Sequence, residues 1–134
     1  MFKKLFFLPV FFAIYFISIA SSYSQSNETY INLFISKDKT IYLETEKIGF
    51  DEVESKVSEI IRKMPFKLDR TIVYRIFGDE NLKLGYIMDV NNKMLAAYDD
   101  NVRTNRYLLN TVQLNIDGQN WFQSIEMKNL KKVN

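Results

Sequence analysis

Two small oxygen-rich clusters, Asp79-Glu80-Asn81 and Asp99-Asp100-Asn101, could in principle offer ligands to a cation such as Ca²⁺. Neither has the spaced ligands of an EF-hand loop. Asp and Asn in succession are also what turns and helix ends use, so both clusters read as solvated turns. Asp51 and Glu52 could act as general acid or base, but no paired acid on another element can be nominated, and they read as first-turn helix charges. The chain has no His and no Cys. That composition excludes thiol nucleophiles, disulfides, Cys/His zinc sites, Ser-His-Asp triads and the usual base near neutral pH. No catalytic, metal or cofactor-binding residue is nominated, and the expectation is a protein that is not an enzyme.

Other side chains are suited to contact. Arg75 lies in Thr71-Ile-Val-Tyr-Arg-Ile-Phe77, and if Ile72, Tyr74 and Ile76 face the helices, then Val73, Arg75 and Phe77 share the opposite face, open unless a covering strand or the tail buries it. Aromatic residues and Arg are enriched where interfaces form. Trp121 could stack on a sugar, although beside Phe122 it reads as a packing anchor.

The elements that must position these residues follow from patterning. The 134 residues, 47% apolar and 25% charged, suffice for one domain with a real core. Lys plus Arg is 18 and Asp plus Glu 16; leaving out Lys3 and Lys4 gives 16 against 16. A neutral domain has no electrostatic footprint for nucleic acid, and that partner class is set aside.

Lys3 and Lys4 precede an uncharged stretch of 16 residues at 5–20, followed by Ser21, Ser22, Tyr23 and Ser24. This is the three-part layout of a secretory signal over residues 1–24, with Ser22 and Ser24 as the small residues ahead of a cut before Gln25. The competing reading is an uncleaved anchor, since residues 5–23 approach the ~20 residues that span a bilayer. Under the positive-inside rule either reading exports the rest of the chain to the periplasm or the envelope. No Cys follows the apolar run, so lipidation of a cysteine is unavailable.

Residues 25–116 read as the folded domain. Alternation over residues 30–35 and at 40–43, broken by Lys37-Asp38-Lys39, predicts two strands and a turn. Phe50, Val53, Val57, Ile60, Ile61 and Met64 recur at helical spacing, with acids first, bases last and Pro65 beyond. Residues 71–77 predict a central strand. Leu84, Ile87, Met88, Leu95 and Tyr98 mark a second helix over residues 82–97, with polar Asn91 where the apolar stripe should continue. Val112, Leu114 and Ile116 alternate cleanly, so a strand is expected within residues 103–116, before the Asp117-Gly118 turn signal. Residues 117–134 carry Trp121, Phe122, Ile125, Met127 and Leu130, which fit neither period; a short helix or a second hairpin arm is expected. The fold class is α+β: a single small sheet with two amphipathic helices packed on one face, in the order β-β-α-β-α-β.

Several short motifs share an order and spacing: a charged turn followed by Ile41-Tyr42-Leu43, the helix from Phe50, the strand running from Ile72 into Gly78-Asp79, Gly85-Tyr86-Ile87-Met88-Asp89-Val90, and a strand near residues 107–111. With them, residues 31–111 resemble the periplasmic domain of the ExbD/TolR biopolymer-transport family. The resemblance implies a sheet with two helices, commonly a homodimer, working by protein contacts and force coupling with an inner-membrane proton channel or a TonB/TolA-like partner. The family tends to carry an acid at the place of Asp79. One departure matters: the family's membrane helix holds an aspartate for proton passage, and residues 5–20 contain no Asp or Glu. The contact role survives that loss better than the energy-transducing one.

The expected function is that of a non-enzymatic envelope protein, with Val73, Arg75, Phe77, Asp79 and Tyr86 as the candidate interaction surface. Strand edges near residues 30–35 and 107–116 are further places for strand addition. The alternative is a secreted or periplasmic module that binds a small ligand or the cell wall, its pocket between the helices and the tail around Tyr98, Trp121 and Phe122.

Overall fold

The computed structural model describes residues 27–133, so the expected export segment lies outside the described residues. The chain runs β1 (Glu28–Ile35), β2 (Ile41–Leu43), β3 (Glu46–Ile48), α1 (Val53–Lys63), β4 (Thr71–Asp79), α2 (Leu84–Ala96), β5 (Val102–Leu109) and β6 (Lys132–Val133). The fold is α+β, as expected. One mixed sheet has the order β3-β2-β1-β4-β5-β6. The β1–β4 and β4–β5 pairs are parallel and the others antiparallel.

Each parallel step needs a crossover helix. Two steps in the same direction across the sheet, with the usual handedness, put both helices on one face. There Ile31, Leu33, Ile35, Ile72, Tyr74 and Ile76 meet Val53 and Val57 of α1 and Ile87, Val90 and Met94 of α2. A 3-10 turn, Phe50–Glu52, leads into α1, and the Glu52 carboxylate accepts the Gly49 N–H at 3.0 Å. Met64 is extended at φ −70° and ψ 140°, the conformation that the following Pro65 imposes, and α1 stops there. At Gly78 a side chain of α2 comes close against the sheet: a Cβ there would stand 3.0 Å from Ile87 Cδ1.

Several boundaries differ from the expected ones. β3 was not foreseen, because Glu46 and Lys47 face solvent and only Ile48 is buried. The stripe of α2 is Ile87, Val90, Asn91 and Met94, whereas Leu84 and Leu95 are exposed. Buried Asn91 thus continues the stripe that was expected to break at it, and its Oδ1 has no partner among the described residues. The Tyr74 hydroxyl is likewise buried without a partner, and burial, with Tyr98 nearby, pushes it up to about 12. β5 ends at Leu109, and the alternating Val112 and Leu114 lie in a turn, both exposed. Alternation of apolar residues marks a strand only where a neighbour supplies the ladder, and here the chain leaves the sheet.

The tail settles on the other face. After Gly118, at φ +45°, 3-10 turns Gly118–Ser124 and Met127–Asn129 cross the sheet, and β6 then pairs with Arg106 and Tyr107 of β5.

Candidate functional site

Val73, Arg75 and Phe77 do share the face opposite the helices, but that face is not open. Phe34, Phe77, Tyr107, Leu109 and Trp121 form a second core, with Tyr42, Ile116, Ile125, Met127 and Leu130 packed around it. Trp121 is fully buried, stacks on Phe34 at 5.4 Å between centroids, and lies tilted on Phe77 at 5.2 Å. Its indole N–H donates to the Glu44 carbonyl at 2.7 Å. Phe77 is therefore buried, and Val73 is fully buried as well, contrary to the expectation of an open surface. The physical reason is that 3-10 turns carry the tail's apolar residues down to the sheet without either regular period.

Asp79 is also buried, which removes it from the candidate surface. Its carboxylate accepts the Asn81 N–H at 2.8 Å and the Thr111 hydroxyl, tying the end of β4 to the start of the tail. Burial pushes its pKa up, but the bonds from Thr111 and Asn81 outweigh that and hold it below the ordinary value. Tyr86 stands on the helix side. Its ring stacks on Phe50 at 5.7 Å, with Lys39 Nζ 5.0 Å above it, bracing the two helices, and burial raises its phenol.

Of the three β4 residues on this face, Arg75 alone is not fully buried. It is half-buried in the row Asn32-Arg75-Asn105 across β1, β4 and β5. Its Nε donates to Asn32 Oδ1 at 2.6 Å. The guanidinium lies 4.2 Å from the Tyr30 ring centre and 5.6 Å from that of Phe122, rings that are 44% and 39% exposed. Two aromatic faces and the Asn32 bond thus hold the guanidinium in place. Asn32 is held in turn by Glu44, whose carboxylate accepts the Asn32 backbone N–H at 2.8 Å and its side-chain amide at 3.4 Å. The Tyr30 hydroxyl donates to Glu28, and that bond raises the phenol above its ordinary range, keeping the ring neutral.

The backbone beside this cluster is also unusual. β2 pairs with β1 only from Leu33 to Ile35, because Glu44 at φ 53° turns the chain away. Among the described residues, Thr29, Tyr30 and Ile31 have a strand neighbour on the β4 side alone. On the far flank β6 covers only Arg106 and Tyr107 of β5. The sequence reading pointed to Arg75 and to the β1 edge but missed Asn32, Glu44 and Phe122 as its supports. Asn32 and Arg75 are brought together by parallel register across 43 positions, which local pattern does not encode.

No group of three or more His, Cys, Asp or Glu suited to a metal ion occurs among the described residues. In the second turn cluster Asp100 accepts the Asn101 N–H, and Asn101 bonds Thr71. The expected pocket around Tyr98, Trp121 and Phe122 does not form. Tyr98 packs with the helix-side core and Trp121 with the tail-side core, so the sheet stands between them. No helix among the described residues is long and apolar enough to cross a membrane. No protein-family model matches the chain, and no curated protein matches its sequence.

Proposed function

We propose that this chain is a non-enzymatic cell-envelope protein, similar to the periplasmic domain of the ExbD/TolR family, that acts through protein contacts in a transport or envelope system. Export is assigned to residues 1–24, and the contact surface to Tyr30, Arg75 and Phe122 with the neighbouring edge of β1. The observation that carries this reading is the coincidence of a solvent-accessible, aromatic-flanked Arg with a stretch of β1, Thr29 to Ile31, that has no second strand neighbour among the described residues. Backbone groups on such an edge supply affinity by strand addition, and the Arg and rings supply selectivity. Two copies meeting edge to edge about a two-fold axis would form a self-complementary interface. The acid missing from residues 5–20 leaves the energy-transducing step to another subunit.

Sedimentation of the purified chain over a concentration series, together with fractionation of its native host, tests this. A dimer recovered with the envelope, and dissociated at least tenfold more readily in Arg75→Glu, is expected. A cytoplasmic chain, or an oligomeric state indifferent to Arg75→Glu, contradicts it.

A further inference from the structure

We propose that the loop between α1 and β4 is a membrane-interface contact, which seats Phe66 and Leu68 at the headgroup boundary of a bilayer. Phe66 is 89% exposed and Leu68 74%, and one residue separates them. Large apolar side chains displayed together in this way mark a contact site, and an aromatic ring suits the membrane–water boundary. The loop is closed on itself: Arg70 donates from Nη2 to the Pro65 carbonyl, and Asp69 turns the chain at φ 56°. An open cleft of about 350 Å³ lies between the loop and Tyr98, Asp100 and Asn101, so the two apolar side chains do not pack back on the body.

Position in the fold selects the bilayer as the occupant. Thr71, the residue after the loop, donates its N–H to the Asn27 carbonyl at 3.2 Å, so the loop sits beside the point where the chain enters the sheet. The uncharged run at 5–20 ends seven positions before Asn27, a reach of roughly 25 Å at most. This placement rests on the anchor form of the envelope reading, in which that run is not cleaved and stays in a membrane. With it there, the loop is confined within a few nanometres of the interface, where a weak two-residue contact is effective as a second membrane signal. Arg62, Lys63, Lys67 and Arg70 nearly balance Asp69, Asp99 and Asp100 at this end, so apolar seating leads and anionic lipid is not required.

The chain has no Cys, so single cysteines report one site each. Leu68→Cys, Asp38→Cys at the opposite end of β1, and Phe12→Cys in the apolar run are made in the full chain. Each is labelled with an environment-sensitive fluorophore and reconstituted in phosphatidylcholine vesicles, with and without phosphatidylglycerol. Quenching by a headgroup-proximal nitroxide lipid is compared with quenching by aqueous iodide, after circular dichroism has shown native folding. Lipid quenching several-fold greater at position 68 than at 38, in both lipid mixtures, is expected. Equal quenching at 68 and 38 with a lipid-quenched probe at 12 overturns the loop contact and leaves the envelope reading standing. An aqueous probe at 12 with a lipid-quenched one at 68 overturns the anchor and supports the loop. Aqueous probes at both 12 and 68 overturn both. A probe at 68 shielded from iodide and lipid alike means a protein covers the loop, which overturns the proposal.

Discussion

The two faces of one sheet are closed by different means. On the helix side, aliphatic residues of β1 and β4 meet two amphipathic helices at regular spacing. On the tail side, aromatic residues gather under 3-10 turns around one tryptophan. Beside them, nearer the strand N-termini, runs the Glu44-Asn32-Arg75 chain of hydrogen bonds. Regular elements make a regular core; an irregular cover leaves a margin where a polar, partly exposed cluster persists. The proposed contact surface lies on that margin.

The comparison breaks most visibly at Trp121. Trp121→Ala should cost about 3–5 kcal/mol, since it removes the centre of the tail-side core and leaves the Glu44 carbonyl without its donor. Denaturant unfolding followed by far-ultraviolet circular dichroism measures this, with Val57→Ala on the helix side as the smaller comparison. A loss no larger than that of Val57→Ala would make the tail a loose cover.

Asp79→Ala comes next, at about 1–3 kcal/mol, because Thr111 and the Asn81 N–H lose their acceptor in a buried place. The pH dependence has a defined sign. A carboxylate whose folded pKa is lowered contributes stability that is present above its unfolded value near ~3.9 and is lost as pH falls through the folded value. Asp79→Asn should therefore flatten the acid limb of the stability profile below about pH 5. An unchanged limb would mean that another acid controls it.

How much of this was legible in the sequence differs between the faces. Val53 and Val57 announce α1 by helical spacing, and residues 71–77 announce β4, so two helices on one face could be expected. The odd residues of β4 were placed on the correct face, but nothing local says that Trp121 crosses the sheet to bury Phe77. The Asn32-Arg75 bond depends on parallel register, and the support from Glu44 depends on a left-handed turn at a residue not typical of one. Long-range register and irregular cover are tertiary properties, and the contact cluster is made of both.

Gly78→Ala sharpens the helix side of the comparison. The added Cβ meets Ile87 Cδ1, costing about 1 kcal/mol, and Ile87→Val should recover part of it in a double-mutant cycle. Additive effects would place the strain elsewhere. Smallest of all, Arg75→Ala should cost less than about 1 kcal/mol of stability, measured in the same unfolding assay, because its ring contacts and its bond to Asn32 are partly solvated. A loss of several kcal/mol would make Arg75 a structural residue of the sheet.

The most direct measurement is site-specific photocrosslinking in the native envelope, with a benzophenone amino acid replacing Tyr30 on the tail-side margin and, separately, Leu95 on the exposed helix surface. A defined adduct from position 30, to a second copy or to one envelope protein, that vanishes in the Arg75→Glu background is the expected result. An adduct from position 95 with none from position 30 would place the working surface on the helix side and contradict the account.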